Sequence, residues 1–473
     1  MKSIVPCPAS FNLAQYVLYH GQADSTKLAL RIIDGPDLSY GDLRSRVANA
    51  AALLQRSGIS VGDHVMLRLD NSLAFPIAFL ALVAIDAIPI VTSSQLTAPE
   101  VDRLVDLIRP TRVIADTKIV QPSTPLPTIS GCDLLSAPDA AFDPVMDDPN
   151  RPAYIVFTSG TSGTPKAVVH AHRSVWARRM MWDDWYGLRS DDRLYHAGAF
   201  NWTFTLGTGL MDPWAKGATA IIAPGQSPAW DLLRDNCITL FAAAPGVLRH
   251  MLKIQAPGLP NLRHALTAGD RLSPVIRARW QDQTNTNVLQ AFGMTECSTF
   301  LSDRPNTSVG LRAQTGRNIK IMQSGAIAVH RSDPGLMLGY FANREIQHVA
   351  EEWFETNDIG CEVDGKIEFQ GRTDGLLNAG GYRISPAEVE DHLMAFAGIE
   401  DVAVTEITVK ADTTILAAFI IGPTAINQTQ LQKHAAAGLA RYKQPRIYQQ
   451  VTEFPRNTNG KLLRKSLPDL WRP

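Results

Sequence analysis

Residues 154–170, YIVFTSGTSGTPKAVVH, constrain this chain more than any other stretch. The run 154–157 is apolar and rich in β-formers, which predicts a buried strand. Residues 158–166, TSGTSGTPK, suit no strand or helix interior, and apolar residues resume at Ala167. Glycines let backbone N–H groups approach an anion closely, hydroxyls add donors, and Lys166 adds a point charge. That chemistry is a phosphate-binding loop. It differs from the G-x-x-x-x-G-K-[ST] loop, because Pro165 stands where that pattern has glycine and Ala167 where it has Ser or Thr. Taken alone, the stretch also reads as a polar surface loop; the preceding strand and the rest of the chain argue against that.

The chain has 473 residues, room for two to four domains at about 150 residues each. Lys+Arg number 45 and Asp+Glu 46, so there is no global charge footprint for nucleic acid or an anionic membrane, and phosphate binding must be local. The five cysteines are scattered without a C-x-x-C pair. This argues against a zinc site or disulfide framework and predicts a reducing, cytoplasmic setting. Residues 1–12 lack an apolar run of signal-peptide length. The apolar tract 73–91 is interrupted by Pro76, Asp86 and Pro89, so it reads as a buried helix and strand and predicts no membrane insertion.

From about residue 25 to 120, helix and strand signals alternate. A helix is predicted from about residue 39 to 55, with Ser39 as N-cap and Gly58 near its end. Strands are expected at 64–69, 88–91 and 112–116, and helices at 74–85 and 97–108, the last capped by Thr97 with Glu100 three residues on. Such alternation implies a parallel sheet covered on both faces. Residues 122–152 read as a long surface connection. His170 and His172 sit two apart and would face different sides of a helix, so they are read as packing residues or polar residues at a helix N-terminus rather than a metal pair.

Three later stretches share one design, a buried strand ending in a small-residue turn: 239–245, 264–270 and 288–296. Ligands sit beyond the carboxyl ends of parallel strands, so these turns are site candidates. Trp202, Phe204 and Leu206 alternate beside glycines, which suits either an apolar ligand slot or a core strand and turn. Asp358 follows Trp353 and Phe354 and reads as a turn residue that either satisfies its own backbone or accepts from two neighbouring hydroxyls. After residues 371–375 a small α+β pattern begins, ending in the Pro/Asn/Gly loop that carries Lys461.

Together these stretches resemble the adenylate-forming enzymes, the superfamily of acyl-CoA synthetases, luciferases and adenylation domains. TSGTSGTPK, FGMTE, TNDIG, GRTDGLLNAGGYRISPAEVE and NGK occur in that family's order over residues 38–467. Within the family, GLMDPWAKGATAII and TECSTFLSDRP are most similar to benzoate and aryl-acid CoA ligases, although the second is one residue shorter between Glu296 and Phe300. The resemblance implies an α/β fold: a large domain, residues 1–373, of parallel-type sheets covered by helices, and a small mobile α+β domain, residues 374–473.

It also implies site residues. Thr158, Ser159, Gly160, Thr161, Ser162, Gly163, Thr164 and Lys166 would form the phosphate loop. Phe292, Gly293 and Met294 would lie beside adenine, Thr295 at the α-phosphate, and Glu296 on magnesium. Asp358 and Arg372 would hold the ribose. Asn357 replaces the usual glycine, a substitution that asparagine's tolerance of positive φ permits. Asp374 would be the hinge, Gly380 and Gly381 would line the pantetheine tunnel, and Lys461 would bridge carboxylate and α-phosphate. The acid pocket would be walled by Trp202, Phe204, Ala243, Ala244, Ala268, Gly269, Gly293 and Thr299. The implied activity is an AMP-forming acid–CoA ligase using ATP, Mg2+ and coenzyme A on a small carboxylic acid, aromatic by the finer match. The alternatives are an acyl-AMP ligase loading a carrier protein and a nucleotide-binding protein without turnover.

Overall fold

The structure is a computed structural model describing residues 5–21, 24–158, 165–372, 375, 377–379, 382–410, 413–423, 425–439, 441–457 and 461–472. The chain divides into two compact units. The first comprises Met1–Gly269, Trp280–Asn318 and Val329–Phe354, and the second Asp270–Arg279, Ile319–Ala328 and Glu355–Pro473.

In the first unit one sheet has eight strands, in the order Glu345–His348, Gly339–Ala342, Lys166–Ala171, Pro152–Thr158, Ile88–Val91, His64–Arg68, Arg112–Ala115 and Thr128–Ser130. From Pro152–Thr158 onward the neighbours are parallel, as the alternating pattern predicts. The helices between them start where their caps dictate. Asp42 and Ser39 close a capping box on the helix Tyr40–Arg56, and Glu100 accepts from the Thr97 amide at 2.8 Å to start Ala98–Ile108. The helix Ala74–Ala84 is buried along its whole length, which explains its lack of a polar face. No helix among the described residues is long and apolar enough to cross a membrane.

The second sheet has nine strands, in the order Arg312–Ala313, Ser298–Ser302, Asn287–Met294, His264–Thr267, Leu240–Ala242, Arg193–His196, Thr219–Ile222, Leu28–Ile32 and Asp37–Ser39. Its central strands, from Asn287–Met294 to Leu28–Ile32, run parallel. Four of them therefore bring the ends of sequence-distant segments to one edge.

Three expectations need correction. Residues 122–152 are not one connection: they contain the strand Thr128–Ser130 and the helix Gly131–Leu135. A side chain at Gly131 would press on Leu69 and Ala74, so glycine lets this segment pack close. The alternation at 202–206 leads into a wide helical turn, Thr205–Met211, and not a strand. A Cβ at Gly207 would lie 2.1 Å from the Arg178 guanidinium, so its absence lets that turn close over a buried charge. The strand Asn287–Met294 does end in a turn, residues 295–297, as expected, and the chain then returns antiparallel as Ser298–Ser302. Asp358 lies within the long strand Trp353–Val363, which pairs with Lys366–Arg372. The turn of that hairpin is instead at Asp364 and Gly365, both at positive φ.

The second unit also holds a three-stranded sheet, Asp401–Lys410, Thr413–Ile421 and Ile447–Gln450. The helices Pro386–Met394 and Gln428–Gly438 cover it, with Val389, Leu393 and Leu431 in one core cluster with Leu416 of the sheet.

The first unit buries several histidines. Desolvation holds His170 and His264 down at about 4 and His196 at about 3. Below pH 6.5 the unfolded chain binds protons at these rings that the folded chain refuses, so stability is full above pH 6.5 and lost as pH falls toward 4. Each ring contributes on the order of 1–3 kcal/mol to that loss. The urea midpoint should fall between pH 6.5 and 5, before most carboxylates titrate. A midpoint flat across that interval would contradict these burials.

Candidate active site

The two ends of the predicted phosphate loop face each other. Thr158 closes one strand, Lys166 opens the next, and the two residues pair directly across the hairpin. Residues 159–164 lie outside the described residues, as do Asp374, Gly380 and Gly381. The Lys166 ammonium stands 5.0 Å over the ring of Tyr340, and the Tyr340 hydroxyl donates to Glu296 Oε1 at 2.9 Å. Burial and the Glu296 carboxylate push the Tyr340 phenol well up, so it keeps its proton and remains a donor. One tyrosine thus links the end of the phosphate loop to the candidate magnesium carboxylate. Glu296 is itself buried, 5 % exposed.

Two main-chain bonds hold the residues flanking this carboxylate. His170 Nε2 lies 2.8 Å from the Thr295 carbonyl oxygen. A carbonyl only accepts, so Nε2 carries the proton, and the low pKa keeps the ring neutral. The Met337 amide donates to the Glu296 carbonyl at 2.8 Å. His172 bonds elsewhere. Its Nδ1 accepts from the Leu13 amide and its Nε2 faces Asp86 at 3.1 Å. His170 lies on the strand Lys166–Ala171 and the helix starts only at Ser174, so helical spacing does not apply to the pair; the contacts of the two rings are nevertheless those of packing and main-chain fixation.

The predicted acid-pocket walls gather at the carboxyl ends of neighbouring parallel strands. Ala243 and Ala244 follow Leu240–Ala242, Ala268 and Gly269 follow His264–Thr267, and Gly293 is the last residue but one of the adjacent strand Asn287–Met294. The Ala243 amide donates to Leu266, and the Thr267 hydroxyl to the Ala243 carbonyl at 2.7 Å, which locks two of these ends together. Gly269 has φ +88°, and a Cβ there would lie 2.3 Å from the indole of Trp202. Glycine is therefore required on both counts. Trp202 and Phe204 meet at right angles, with centroids 5.1 Å apart. Thr299 is buried, and its Cα would be 2.6 Å from a Cβ on Gly293. Phe292 is half-buried and stands edge-on to Phe300 at 5.6 Å.

His196 joins this wall without having been singled out in the sequence. It ends the strand Arg193–His196, its ring is 4.3 Å from Phe204, and neither ring nitrogen has a hydrogen-bond partner among the described residues. Its only sequence signal is its place before the small-residue run that starts at Ala197. Tyr340 gave no signal, because its role depends on a partner 44 residues away.

The remaining candidates belong to the second unit. Asp358 and Arg372 are register partners, with Nη1 and Oδ1 3.6 Å apart, and Asp358 is nearly buried. Asn357 has φ +62°, the left-handed conformation that its replacement of glycine calls for. Lys461 is held by its backbone: its amide donates to Asn457 Oδ1 at 2.9 Å and its carbonyl accepts from the Asn457 amide, also at 2.9 Å. Its side chain is exposed.

Known proteins are similar to this chain in sequence and in fold. The chain is 26% identical to a 4-hydroxybenzoate–CoA/benzoate–CoA ligase of Rhodopseudomonas palustris, over 92% of this chain and 89% of that one. It is 27% identical to the long-chain-fatty-acid–CoA ligase FadD13 of Mycobacterium tuberculosis, over 92% and 93% respectively. The fold superposes on the crystal structure of the anthranilate CoA ligase AuaEII in complex with anthranoyl-AMP, with a TM-score of 0.88 at 23% identity, over 98% of both chains. The family model "AMP-binding enzyme" matches residues 20–341, and that of the AMP-binding enzyme C-terminal domain matches residues 388–461. The hairpin that carries the candidate phosphate loop, the Glu296 turn and the candidate walls at the strand ends all fall inside the first match, and the chain belongs to the AMP-binding enzyme family.

Proposed function

We propose that this enzyme joins a small aromatic carboxylic acid to coenzyme A with cleavage of ATP to AMP and pyrophosphate. The observation that carries the reading is Tyr340, which holds Glu296 by its hydroxyl and lies beneath the Lys166 ammonium with its ring. An acidic metal ligand and a phosphate-directed cation are thereby kept apart yet fixed to one support. A single carboxylate fits Mg2+, which completes its shell with waters and nucleotide phosphates. When bound, the ion would neutralise charge on the triphosphate.

The chain's own residues then do the following. Lys166 and the hydroxyls of the loop orient the β- and γ-phosphates. Asp358 and Arg372 fix the ribose. Lys461 neutralises the substrate carboxylate and the α-phosphate as they meet. The carboxylate oxygen attacks the α-phosphorus, the bond to the pyrophosphate oxygen breaks, and an acyl-adenylate results. In the second step the CoA sulfur attacks the acyl carbon as its proton passes to solvent, and AMP leaves. Gly380 and Gly381 leave room for the pantetheine arm, and Asp374 is the hinge between the steps.

The aromatic class rests on the ring wall. A flat acid can stack on, or meet edge-on, the perpendicular pair of Trp202 and Phe204, contacts that favour aromatic over flexible acyl groups. Relatives of nearly equal identity act on benzoates and on long-chain fatty acids, so identity alone does not choose between them. A panel of benzoates, hydroxybenzoates, other aromatic acids and aliphatic acids tests the choice. Turnover should be highest on one aromatic cluster, and preference for a long aliphatic acid would overturn it. CoA should serve better than a phosphopantetheinylated carrier protein.

A further inference from the structure

The turn that carries Glu296 is held from behind by two buried ion pairs to which no role has yet been given. Arg317 is 7 % exposed, and its Nε lies 2.9 Å from both oxygens of Asp333. Its Nη2 donates to the Cys297 carbonyl at 2.8 Å, and its Nη1 to the Thr299 carbonyl. Asp333 is fixed in turn by the amides of Asn318 and Gly335. Gly335 is a glycine because a Cβ there would lie 2.6 Å from Arg317 Nη2. The second pair is Arg178 with Asp212, joined through Nε and Nη2 at 2.9 and 2.6 Å. Arg178 Nη1 donates to the Ser298 hydroxyl at 2.6 Å, and Ser298 has φ +56°, which is uncommon for a side chain of its kind.

With the bonds from His170 and Met337, four of the five carbonyls from Thr295 to Thr299 are held by donors from elsewhere in the fold, and the hydroxyl of the fifth residue, Ser298, is held as well. A turn with φ above zero at a serine does not keep its shape by local preference. It keeps it because the surroundings over-determine it. We infer that Arg317, anchored on Asp333, is a positioning residue that fixes the Glu296 carboxylate and the Thr299 acid-pocket wall relative to one another. The planar fork is essential to this, because one guanidinium reaches two carbonyls and a carboxylate simultaneously. Lysine can replace the charge but not that geometry. The inference rests on the reading of Glu296 as the magnesium carboxylate.

Arg317→Lys is the deciding variant. It keeps a cation beside Asp333, so the melting temperature should return close to wild type relative to Arg317→Ala. The turn should nevertheless loosen. Cys297 is a buried thiol between Glu296 and Ser298, and its alkylation by N-ethylmaleimide, followed at that peptide by mass spectrometry, should rise about tenfold as the turn opens more often. The gain in ATP affinity on adding Mg2+, measured by calorimetry without any acid, should shrink by about tenfold, the usual scale for loss of a support behind a metal ligand. Arg263→Ala is the control, since it breaks a comparable pair with Asp192 away from this turn and should lower stability without changing either readout. Asp333→Asn, which preserves shape, carries the same test if the lysine variant does not accumulate.

Normal Cys297 protection and normal Mg2+ dependence in Arg317→Lys would overturn the positioning role. Glu296→Gln separates the two layers. If it leaves the Mg2+ gain intact, the metal assignment is wrong; if it removes the gain while Arg317→Lys does not, the metal assignment stands and the positioning role fails.

Discussion

Lys461→Ala is expected to slow acid-dependent pyrophosphate release by about 10²–10³-fold, the scale seen when one preorganised group facing developing charge is removed. The same variant should convert a supplied acyl-adenylate and CoA to thioester at close to the wild-type rate. The split follows from what the side chain can reach. The backbone of Lys461 is pinned through Asn457 while the side chain is exposed, so truncation removes no core packing and the melting temperature should not change. Any loss of rate is then chemical. Two anions must approach in the first step, and a cation between them lowers that barrier. In the second step the nucleophile is a single thiol and the leaving group is already activated. A variant that adenylates at wild-type rate would remove Lys461 from the mechanism.

Asp358→Ala should raise the KM for ATP by about 10²-fold, or roughly 2.7 kcal/mol. A carboxylate that accepts from two ribose hydroxyls makes two charge-assisted hydrogen bonds, each contributing about 1.5–3 kcal/mol, and some of that is recovered by water in the variant. The position suits this role because Asp358 is held within a strand, opposite Arg372, where its orientation is fixed. 2′-Deoxy-ATP provides the check. Wild type should discriminate against it, while Asp358→Ala should bind ATP and 2′-deoxy-ATP almost equally. If the variant still discriminates, the ribose hydroxyl is read elsewhere.

Local signals were the legible part of this chain. Ser39 and Thr97 cap helices where a hydroxyl precedes an apolar period, and Asn357 takes the positive φ that its replacement of glycine required. The small residues at 243, 244, 268, 269 and 293 lie at or just past the carboxyl ends of adjoining strands, because each followed a short buried run. What escaped depends on pairing over long sequence distances. Asp358 looked like a turn residue because TNDIG is polar and glycine-flanked, and only its ladder to Lys366–Arg372 makes it a strand residue. Tyr340 and Arg317 are inconspicuous in sequence, and the bond His170 makes to Thr295 gives no sign there. Their meaning comes from single contacts with Glu296, Thr295, Cys297 and Thr299, the first made across 44 residues and the second across 125. Residues 202–211 misled for another reason: Gly207, which looks like a turn former, accommodates the Arg178 guanidinium inside a helical turn, and Gly209 gives way to the His196 side chain.

The central claim is that an acid is activated on AMP and then passed to CoA. It is tested most directly by following pyrophosphate, AMP and thioester together, with the best aromatic acid of the panel, in the presence and absence of CoA. The proposal predicts acid-dependent pyrophosphate release that stops near one equivalent per enzyme without CoA and turns over with it, giving AMP and thioester in equal amounts. Sustained AMP production without a thioester, or ATP binding with no acid-dependent pyrophosphate from any acid tested, would contradict it.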